Sequence, residues 1–336
     1  MRGVRFLAVG ASGAVLGALL LPLTGLVNLD ASSGHWGITD WFFHLAARQS
    51  VTLRSAAIEV PPLDSPAMAR RGMEHYRLVC ANCHGSPAGP PAQLARDLTP
   101  TPPFLMEQMQ HWRPEARIFW TVKHGIKRTA MPAWPAQMRD DEVWDMVAFL
   151  QEMPDMAADE YAAAPFDPVT GLCAQCHGEE GRGQGSAFPR LDIQSPTYLA
   201  AALKAFRHGT RASGTMMAAA SGLTDAQITA LAQHYGQNVG TGAIGEGRGA
   251  EIARRGIPER DIAACDSCHG ETARTGYPRL AGQHRDYIVN QLELFITLGP
   301  ERGGPFADIM ATAVKGLTPD EIEALADWYG VEAASE

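Results

Sequence analysis

Apolar residues recur three and four positions apart in three stretches of the chain, and each stretch follows a methionine (Met131, Met216 or Met310) at the same distance. The apolar residues seven, twelve and fifteen positions after these methionines are Met138, Val143, Met146, Leu223, Ile228, Leu231, Leu317, Ile322 and Leu325. This spacing places apolar side chains on one face of a helix. "RDDEV", "TDAQI" and "TPDEI" open the helices with N-cap and first-turn signals. We therefore expect each methionine on a loop just ahead of an amphipathic helix.

The second and third copies of this unit resemble each other more closely. "FPRL" at Phe188–Leu191 returns as "YPRL" at Tyr277–Leu280, an offset of 89 residues. The same offset relates three further pairs: Gln194 and Gln283, Tyr198 and Tyr287, Phe206 and Phe295. Few stretches alternate as strands do. The chain is therefore predicted to be all-α, with three tandem helical domains of which the last two form a pair.

Turn-rich stretches near Pro154–Pro168 and Gly236–Gly249 mark the domain boundaries. The expected organisation is a membrane anchor with an interfacial linker and then domains 1, 2 and 3, at residues 1–64, 65–155, 156–240 and 241–336.

The anchor is predicted from an uncharged run of 24 residues, Phe6–Leu29, behind Arg2 and Arg5. A helix of that length measures about 36 Å and can cross a hydrocarbon core of about 30 Å. Aromatic residues follow, as at a membrane interface: Trp36, Trp41, Phe42 and Phe43.

The basic front end predicts a single-pass protein of a bacterial inner membrane, with the domains in the periplasm. The alternative is a cleaved signal peptide, with "ASS" at Ala31–Ser33 as a weak cleavage site. Signal peptides have a shorter apolar region of about 7–15 residues, so the uncleaved anchor is favoured.

The chain is acidic overall, with 28 Lys and Arg against 37 Asp and Glu and a net charge of −9. This balance argues against a nucleic-acid partner. Residues 241–336 hold nine basic and sixteen acidic side chains. An acidic domain suits a basic protein partner, although the same charge also serves a merely soluble surface.

All six cysteines belong to three C-x-x-C-H motifs: Cys80, Cys83 and His84; Cys173, Cys176 and His177; Cys265, Cys268 and His269. In this motif the thiols add across the vinyl groups of a haem, and the histidine becomes an axial ligand of its iron. One imidazole nitrogen binds iron while the other donates to a backbone carbonyl. Pro189 and Pro278 stand where that carbonyl is needed. The motifs predict three covalently bound haem c groups.

Two other uses of paired cysteines fit less well. A zinc site needs two C-x-x-C pairs, or a pair with separated histidines, in one compact unit. Here the pairs lie about 90 residues apart, one in each repeat. A thioredoxin-like redox pair would follow a strand and would not need the histidine.

The sixth iron ligand is predicted to be Met131, Met216 and Met310 in the three domains. A methionine ligand raises the reduction potential and occupies the position that an exogenous ligand would take. Core packing is the ordinary role of a methionine, but the repeat spacing selects these three and prefers Met216 to Met217.

Other polar residues near the motifs have less certain roles. His124 and His208 are possible substitute ligands, although ordinary loop histidines are the simpler interpretation. Arg190 and Arg279 are candidates to pair with haem propionates, since a guanidinium binds a carboxylate through two hydrogen bonds. A surface role is the alternative for both arginines.

Residues 170–333 resemble the dihaem cytochrome c4 family in "CHGEEGRGQGSAFPRL" and "CHGETARTGYPRLAGQHRDYIVNQL". Residues 65–155 resemble a single class I cytochrome c domain in "CANCHG" and "VKHGIKRTAMPAW". The resemblance implies class I folds, a c4-like pair packed about a pseudo-twofold axis, and His/Met-ligated haems that exchange electrons.

The expected function is electron transfer in a respiratory chain rather than catalysis. The donor would be a dehydrogenase or quinol-oxidising complex, and the acceptor a terminal oxidase or soluble cytochrome. Two alternatives stay open. One is a cytochrome subunit of a membrane-bound alcohol or sugar dehydrogenase. The other is an enzyme such as a multihaem peroxidase or a sulfur-compound oxidoreductase, which would need an open or displaceable sixth position on one iron.

Overall fold

The structure is a computed structural model that describes residues 16–17, 20–30, 33–34, 36–111, 114–161, 171–237, 246–270 and 275–331. Within these residues the fold is mostly helical, as the sequence predicts. The described strands are two residues long: Gln283–His284 pairs in parallel with Gly330–Val331. We describe three helical segments, called the first (66–161), second (171–237) and third (246–331).

The first segment packs around two crossing helices. Helix α1, Gly37–Ser55, precedes this segment, whose own helices are α2 Pro66–His75, α3 Ala81–His84, α4 Gln93–Arg96, α5 Leu105–His111, α6 Glu115–His124, α7 Asp140–Glu152 and α8 Ala158–Tyr161. A π-helical turn, Tyr76–Cys80, joins α2 to α3 and carries the chain into the first C-x-x-C-H motif. Helices α2 and α7 meet at Gly72, where a Cβ would lie 2.1 Å from the carbonyl oxygen of Asp145. Only glycine allows this close approach.

The third segment repeats that crossing. The helices of the second segment are α9 Gly171–His177, α10 Pro196–Arg207, α11 Gly214–Ala220 and α12 Asp225–Tyr235. Those of the third segment are α13 Arg248–Arg255, α14 Asp266–His269, α15 Arg285–Leu298, α16 Ala307–Val314 and α17 Pro319–Tyr329. Helices α13 and α17 meet at Gly249, where a Cβ would lie 2.0 Å from the carbonyl oxygen of Ala324. Each segment buries its own apolar clusters.

The predicted helix starts are confirmed in two of the three copies. Thr224 and Thr318 are the N-caps of α12 and α17, and both form capping boxes, with Gln227 and Glu321. The first copy differs, because α7 has Arg139 at its N-cap position and no side-chain cap there.

The predicted loop position is correct for Met131 and wrong for the other two methionines. Met216 lies within α11 and Met310 within α16. Their neighbours explain the difference, since "GTMMAAA" and "ADIMATAV" are rich in alanine, the strongest helix former. Ser213 also caps α11 by accepting from the Met216 N–H.

Half of the predicted membrane helix, Phe6–Leu29, lies outside the described residues, namely residues 6–15 and 18–19. Its described end is not an α-helix: Leu21–Thr24 form a 3-10 turn that ends at Gly25, with φ 73°. Pro22 lacks the N–H that a helix interior uses, which accounts for the break. In the described part of the chain, no helix is both long and apolar enough to cross a membrane.

The first and second segments are joined by a buried carboxylate. Glu142, in the first turn of α7, accepts from the Ser213 hydroxyl and from the Gly214 N–H, both at 2.6 Å. The Trp134 indole N–H donates to the same carboxylate at 3.3 Å. A Cβ on Gly214 would lie 2.4 Å from the Trp134 indole nitrogen. Glu142 thus satisfies N–H groups at the start of α11 instead of capping its own helix.

Further contacts extend this interface. His75 is buried, stacks on Trp134 with ring centroids 4.2 Å apart, and bonds through Nδ1 to the Thr215 hydroxyl at 2.9 Å. Arg139 donates to the Ala212 carbonyl at 2.8 Å. The first segment therefore covers the residues just before Met216, namely Ala212, Gly214 and Thr215.

Candidate functional site

The three motif histidines share one hydrogen-bond geometry. Each Nδ1 bonds a proline carbonyl: His84 to Pro103 at 3.0 Å, His177 to Pro189 at 3.0 Å, and His269 to Pro278 at 2.7 Å. The bonds predicted to Pro189 and Pro278 are confirmed. Because a carbonyl only accepts, Nδ1 carries the proton and Nε2 keeps a free electron pair. That tautomer presents Nε2 to a metal.

Burial keeps these imidazoles neutral. It is the chief cause that lowers the pKa of His84, His177 and His269, and the proline hydrogen bonds oppose it only in part. A neutral imidazole is the form that binds iron, so the protein holds all three histidines ready for ligation. Ligation itself stays a prediction.

None of the six cysteines is in a disulfide bond, and each is partly buried within one turn of its histidine. Burial raises the pKa of Cys80 and Cys176 to about 12 and that of Cys265 to about 11. Redox-active and metal-binding cysteines have a lowered pKa instead, because the thiolate is the reactive form. These environments do not fit a thioredoxin-like pair. Among the described residues, no three His, Cys, Asp or Glu side chains lie close enough together to hold a metal ion, as a zinc site would require.

Met131 is placed by a tight turn at the end of α6. Gly125 has φ 62°, and a Cβ there would lie 2.6 Å from the Met131 carbonyl oxygen. The Met131 N–H donates to the Thr129 hydroxyl at 3.1 Å. His124, which ends α6, is exposed, and its ring lies tilted against that of Trp120 with centroids 3.9 Å apart.

The structure separates the two adjacent methionines of the second segment. Met216 packs in that segment's own cluster, with Phe206 and Ala220. Met217 packs instead against the core of the first segment. Met310 packs against the core of the third segment. The surroundings therefore favour Met216 over Met217 as the ligand, as the repeat spacing does.

Two known proteins are similar to parts of this chain. A thiosulfate dehydrogenase electron acceptor from Stutzerimonas stutzeri is 31% identical over 198 residues, which are 55% of this chain and 91% of the relative. A cytochrome c4 from Thiocapsa roseopersicina is 32% identical over 169 residues, 48% of this chain and 86% of the relative. The chain belongs to the c-type cytochromes with cytochrome c4-like domains.

Two further matches involve this cytochrome. The family model described as cytochrome C oxidase, cbb3-type, subunit III matches residues 67–150 and 167–234. The solved cytochrome c4 of Acidithiobacillus ferrooxidans aligns with 47% of the cytochrome and 96% of its own chain, at 31% identity and a TM-score of 0.41.

Haem c is the cofactor of this family, and two buried arginines provide an independent test of its fit. Arg211 and Arg302 lie between the second and third segments, each 7% exposed. Arg211 donates to the hydroxyls of Tyr198 and Tyr287, at 3.1 and 3.4 Å. The Nε of Arg302 is buried without a hydrogen-bond partner. Each guanidinium stacks on a phenylalanine, Phe206 or Phe295, at equivalent positions of the repeat.

Within the described part of the chain, neither of these two cations has a carboxylate partner. Burial, reinforced by the neighbouring Arg211, lowers the pKa of Arg302 to about 9. Burying an unpaired charge is unfavourable by several kcal/mol, roughly, so such a group normally faces a counter-ion. The propionate carboxylates of a bound haem would supply that charge, and a guanidinium fork suits them. The residues present therefore fit the group.

These are not the arginines that the sequence indicated as propionate partners, which were Arg190 and Arg279. Arg190 is already paired, since it binds both carboxylate oxygens of Asp192, at 3.0 and 2.6 Å. The signal for Arg211 and Arg302 was weak, because they lie five and eight residues before their methionines and so break the repeat. His208, at the end of α10, is exposed. Pro103 was also missed, because it lies 19 residues after its histidine.

Proposed function

We propose that the cytochrome carries three haem c groups, one in each segment, and passes electrons between membrane and periplasmic redox proteins. The observation that carries this is the threefold repeat of one geometry, a C-x-x-C-H histidine whose Nδ1 is fixed by a proline carbonyl. When bound, haem iron alternates between the ferrous and ferric states. The chain holds the axial histidine in one tautomer, encloses the cofactor and offers Met131, Met216 and Met310 as sixth ligands.

The donor that we favour is a periplasmic dehydrogenase. Two relatives, at 31% and 34% identity, are named as electron acceptors of thiosulfate dehydrogenase. The acceptor would be a terminal oxidase or a soluble cytochrome. The same relatives support a carrier over a peroxidase-type enzyme.

Membrane attachment is a separate part of the proposal. The apolar run of Phe6–Leu29 supports it, together with the outward-facing aromatic residues of α1. Trp41, Phe42 and Phe43 on that helix are all exposed, as is Trp36 just before it. Aromatic side chains of this kind favour the membrane interface.

The test of haem number is the mass of the intact mature protein together with its haem content. We expect three haems per chain, retained after acid-acetone treatment because they are covalent. Replacing both cysteines of one motif with alanine should remove one haem, and a smaller haem count in the unmodified protein would contradict the proposal. Fractionation tests attachment: full-length protein should remain with membranes, whereas a species starting near Gly34 in the periplasm would indicate a cleaved signal peptide.

A further inference from the structure

The second and third segments differ in what covers the helix that carries the predicted methionine ligand. Helices α11 and α16 can be aligned on Met216 and Met310. In both, the residue four positions after the methionine is buried (Ala220 and Val314), and the residue eight positions after it is the N-cap threonine of the next helix. The residues one, two and four positions before each methionine can therefore be compared directly.

In the second segment these positions form an interface with another part of the cytochrome. The Thr215 hydroxyl is hydrogen-bonded to His75, and the Gly214 N–H donates to the Glu142 carboxylate. Ala212 packs against the first segment's core, and its carbonyl accepts from Arg139. This face of α11 is thus where the first segment docks.

In the third segment the equivalent positions are Ile309, Asp308 and Phe306, and all three are exposed. Ile309 is 57% exposed and Phe306 40%. Among residues 171–237, by contrast, no large apolar side chain is exposed. Exposed apolar residues grouped on one face mark an interaction site.

The exposed face is connected to the predicted haem site. The ring of Phe306 lies against that of Tyr277, with centroids 4.5 Å apart, and Tyr277 meets His269 edge-on at 6.3 Å. In the second segment Phe188 holds the place of Tyr277 beside His177, and it is buried. A partner seated on Phe306 would therefore stand two ring contacts from His269.

Charge indicates what kind of partner fits. Asp308 and Glu301 are both exposed here, and Glu301 lies in the 3-10 turn that packs against α16. Arg302 is the one basic residue of 299–314, and it is buried. Asp308 stands at the position where, in the other interface, the Gly214 N–H donates to the Glu142 carboxylate. A carboxylate there repels Glu142 and fills the space that Trp134 needs, so a second copy of the first segment is excluded.

We propose that the face formed by Phe306, Asp308 and Ile309 is the docking site for an external redox protein with an apolar contact surface rimmed by basic side chains. This inference rests on the proposed electron-carrier function and names the partner-facing surface for it. The second segment, covered on the equivalent face by the first, would then exchange electrons only with its neighbours.

The test uses the full-length, haem-loaded protein and two probes: a soluble cytochrome c with a lysine-rich face, and the same protein with its lysines acetylated. The dissociation constant and the second-order rate of electron exchange are measured at low and high ionic strength. The unmodified protein should react rapidly with the lysine-rich probe at low ionic strength, and roughly tenfold or more slowly with the acetylated one. Asp308→Lys should lower the rate of electron exchange with the lysine-rich probe by about tenfold and make that rate less dependent on salt. Ile309→Asn should raise the dissociation constant for this probe by about tenfold.

Two variants serve as matched controls. Glu251→Lys makes the same charge change in the first turn of another helix of the third segment, α13. Leu94→Asn removes an apolar side chain that is 79% exposed in the first segment. Thermal unfolding checks that all four variants fold, which is expected because the replaced side chains are exposed.

Each outcome decides the proposal. The proposal is overturned if the test and control variants change the exchange rate and the dissociation constant equally. It is also overturned if the unmodified protein binds the lysine-rich and the acetylated probe with the same dissociation constant. Self-association lost in Ile309→Asn would show that a second copy occupies the face. Redox titration with small mediators tests the proposed function separately. If the haems are not reversibly reduced and oxidised in that titration, the carrier function fails. If they are, and the variants leave binding of the lysine-rich probe unchanged, the docking site alone fails.

Discussion

Gln194 and Gln283 occupy equivalent places in the second and third segments, and each binds the other segment's backbone through both atoms of its amide. Gln194 donates to the Arg279 carbonyl and accepts from the Arg279 N–H, both at 2.9 Å. Gln283 makes the same pair of bonds to Arg190, at 3.0 and 2.8 Å. Such an exchange is the signature of a twofold interface, here between two repeats of one chain.

The exchange predicts that either glutamine stabilises the pair of segments. Gln283→Ala should lower the free energy of unfolding by about 1–3 kcal/mol, because it leaves the N–H and C=O of Arg190 without partners. Gln194→Ala should cost a similar amount. Guanidinium unfolding measures both, with Gln233→Ala, an exposed position on α12, as the control. An effect no larger than the control would mean that the reciprocal bonds add nothing to stability.

Glu142 is predicted to hold the first segment on the second. Glu142→Ala should lower the free energy of unfolding by about 3–5 kcal/mol, since the variant leaves Arg139 and the start of α11 buried without the carboxylate. Loss of cooperativity between the two segments in urea would show that the contact joins them. Glu107→Ala, at an exposed position on α5, should change stability by less than about 0.5 kcal/mol. Similar unfolding of both variants would contradict this role.

Local features of the fold could be predicted from the sequence because they depend on neighbours in the chain. Thr224 and Thr318 cap helices through residues three positions on, and the His177 and His269 hydrogen bonds depend on prolines within twelve residues. The helical position of Met216 does not follow from the spacing of apolar residues, because that spacing takes no account of the helix-forming alanines that follow Met216.

Contacts between segments could not be predicted from the sequence. Glu142 looked like an ordinary first-turn acid, and only the fold shows that it serves a helix about 70 residues away. Arg211 and Arg302 gave no pattern because their importance comes from burial beside each other, which depends on how two repeats pack. The candidate ligands could be found because covalent haem attachment requires a contiguous motif.

Arg302 is predicted to raise the potential of the haems of the second and third segments. A buried cation disfavours the ferric state, which carries one more positive charge. Arg302→Met should therefore lower the midpoint potential of those haems and leave that of the first segment nearly unchanged. Spectroelectrochemical titration measures this, with Arg302→Lys as the charge-preserving control. Equal potentials in the methionine variant and the unmodified protein would refute a role for this charge.

Glu321 is predicted to make the third segment sensitive to acid. Burial alone would raise the pKa of this carboxyl, but the Thr318 N–H, Arg260 and Arg248 outweigh it and lower the pKa to about 2. The stability that this depressed pKa provides is present above the ordinary value of 4.5 and is lost as the pH falls toward 2.

Glu321→Gln should accordingly be less stable than the unmodified protein at pH 7, with the difference closing as the pH falls from about 4.5 to about 2. The free energy of unfolding, measured across this range, checks the sign. Asp320→Asn, an exposed change in the same first turn, should show a smaller dependence. A gap between Glu321→Gln and the unmodified protein that widens in acid would show that the ion pairs do not set this pKa.

The paired methionines of α11 give the sharpest test of the predicted ligands. If Met131, Met216 and Met310 all bind iron, the ferrous protein should not take up carbon monoxide readily, because each sixth position is filled. Met216→Ala should open one site, lower the potential of one haem and remove about one third of the weak red-edge band that sulfur ligation gives.

Met217→Ala should leave carbon monoxide binding and the red-edge band unchanged, because this side chain packs against the first segment's core rather than in the second segment's own cluster. It should instead lower the free energy of unfolding by about 0.5–3 kcal/mol, because the lost side chain is partly buried against that core. The two variants thus remove the same side chain at adjacent positions and are expected to fail in different ways. Carbon monoxide uptake in Met217→Ala but not in Met216→Ala would reverse the assignment. Stoichiometric uptake at one haem of the unmodified protein would point to an open iron and to the enzyme alternative.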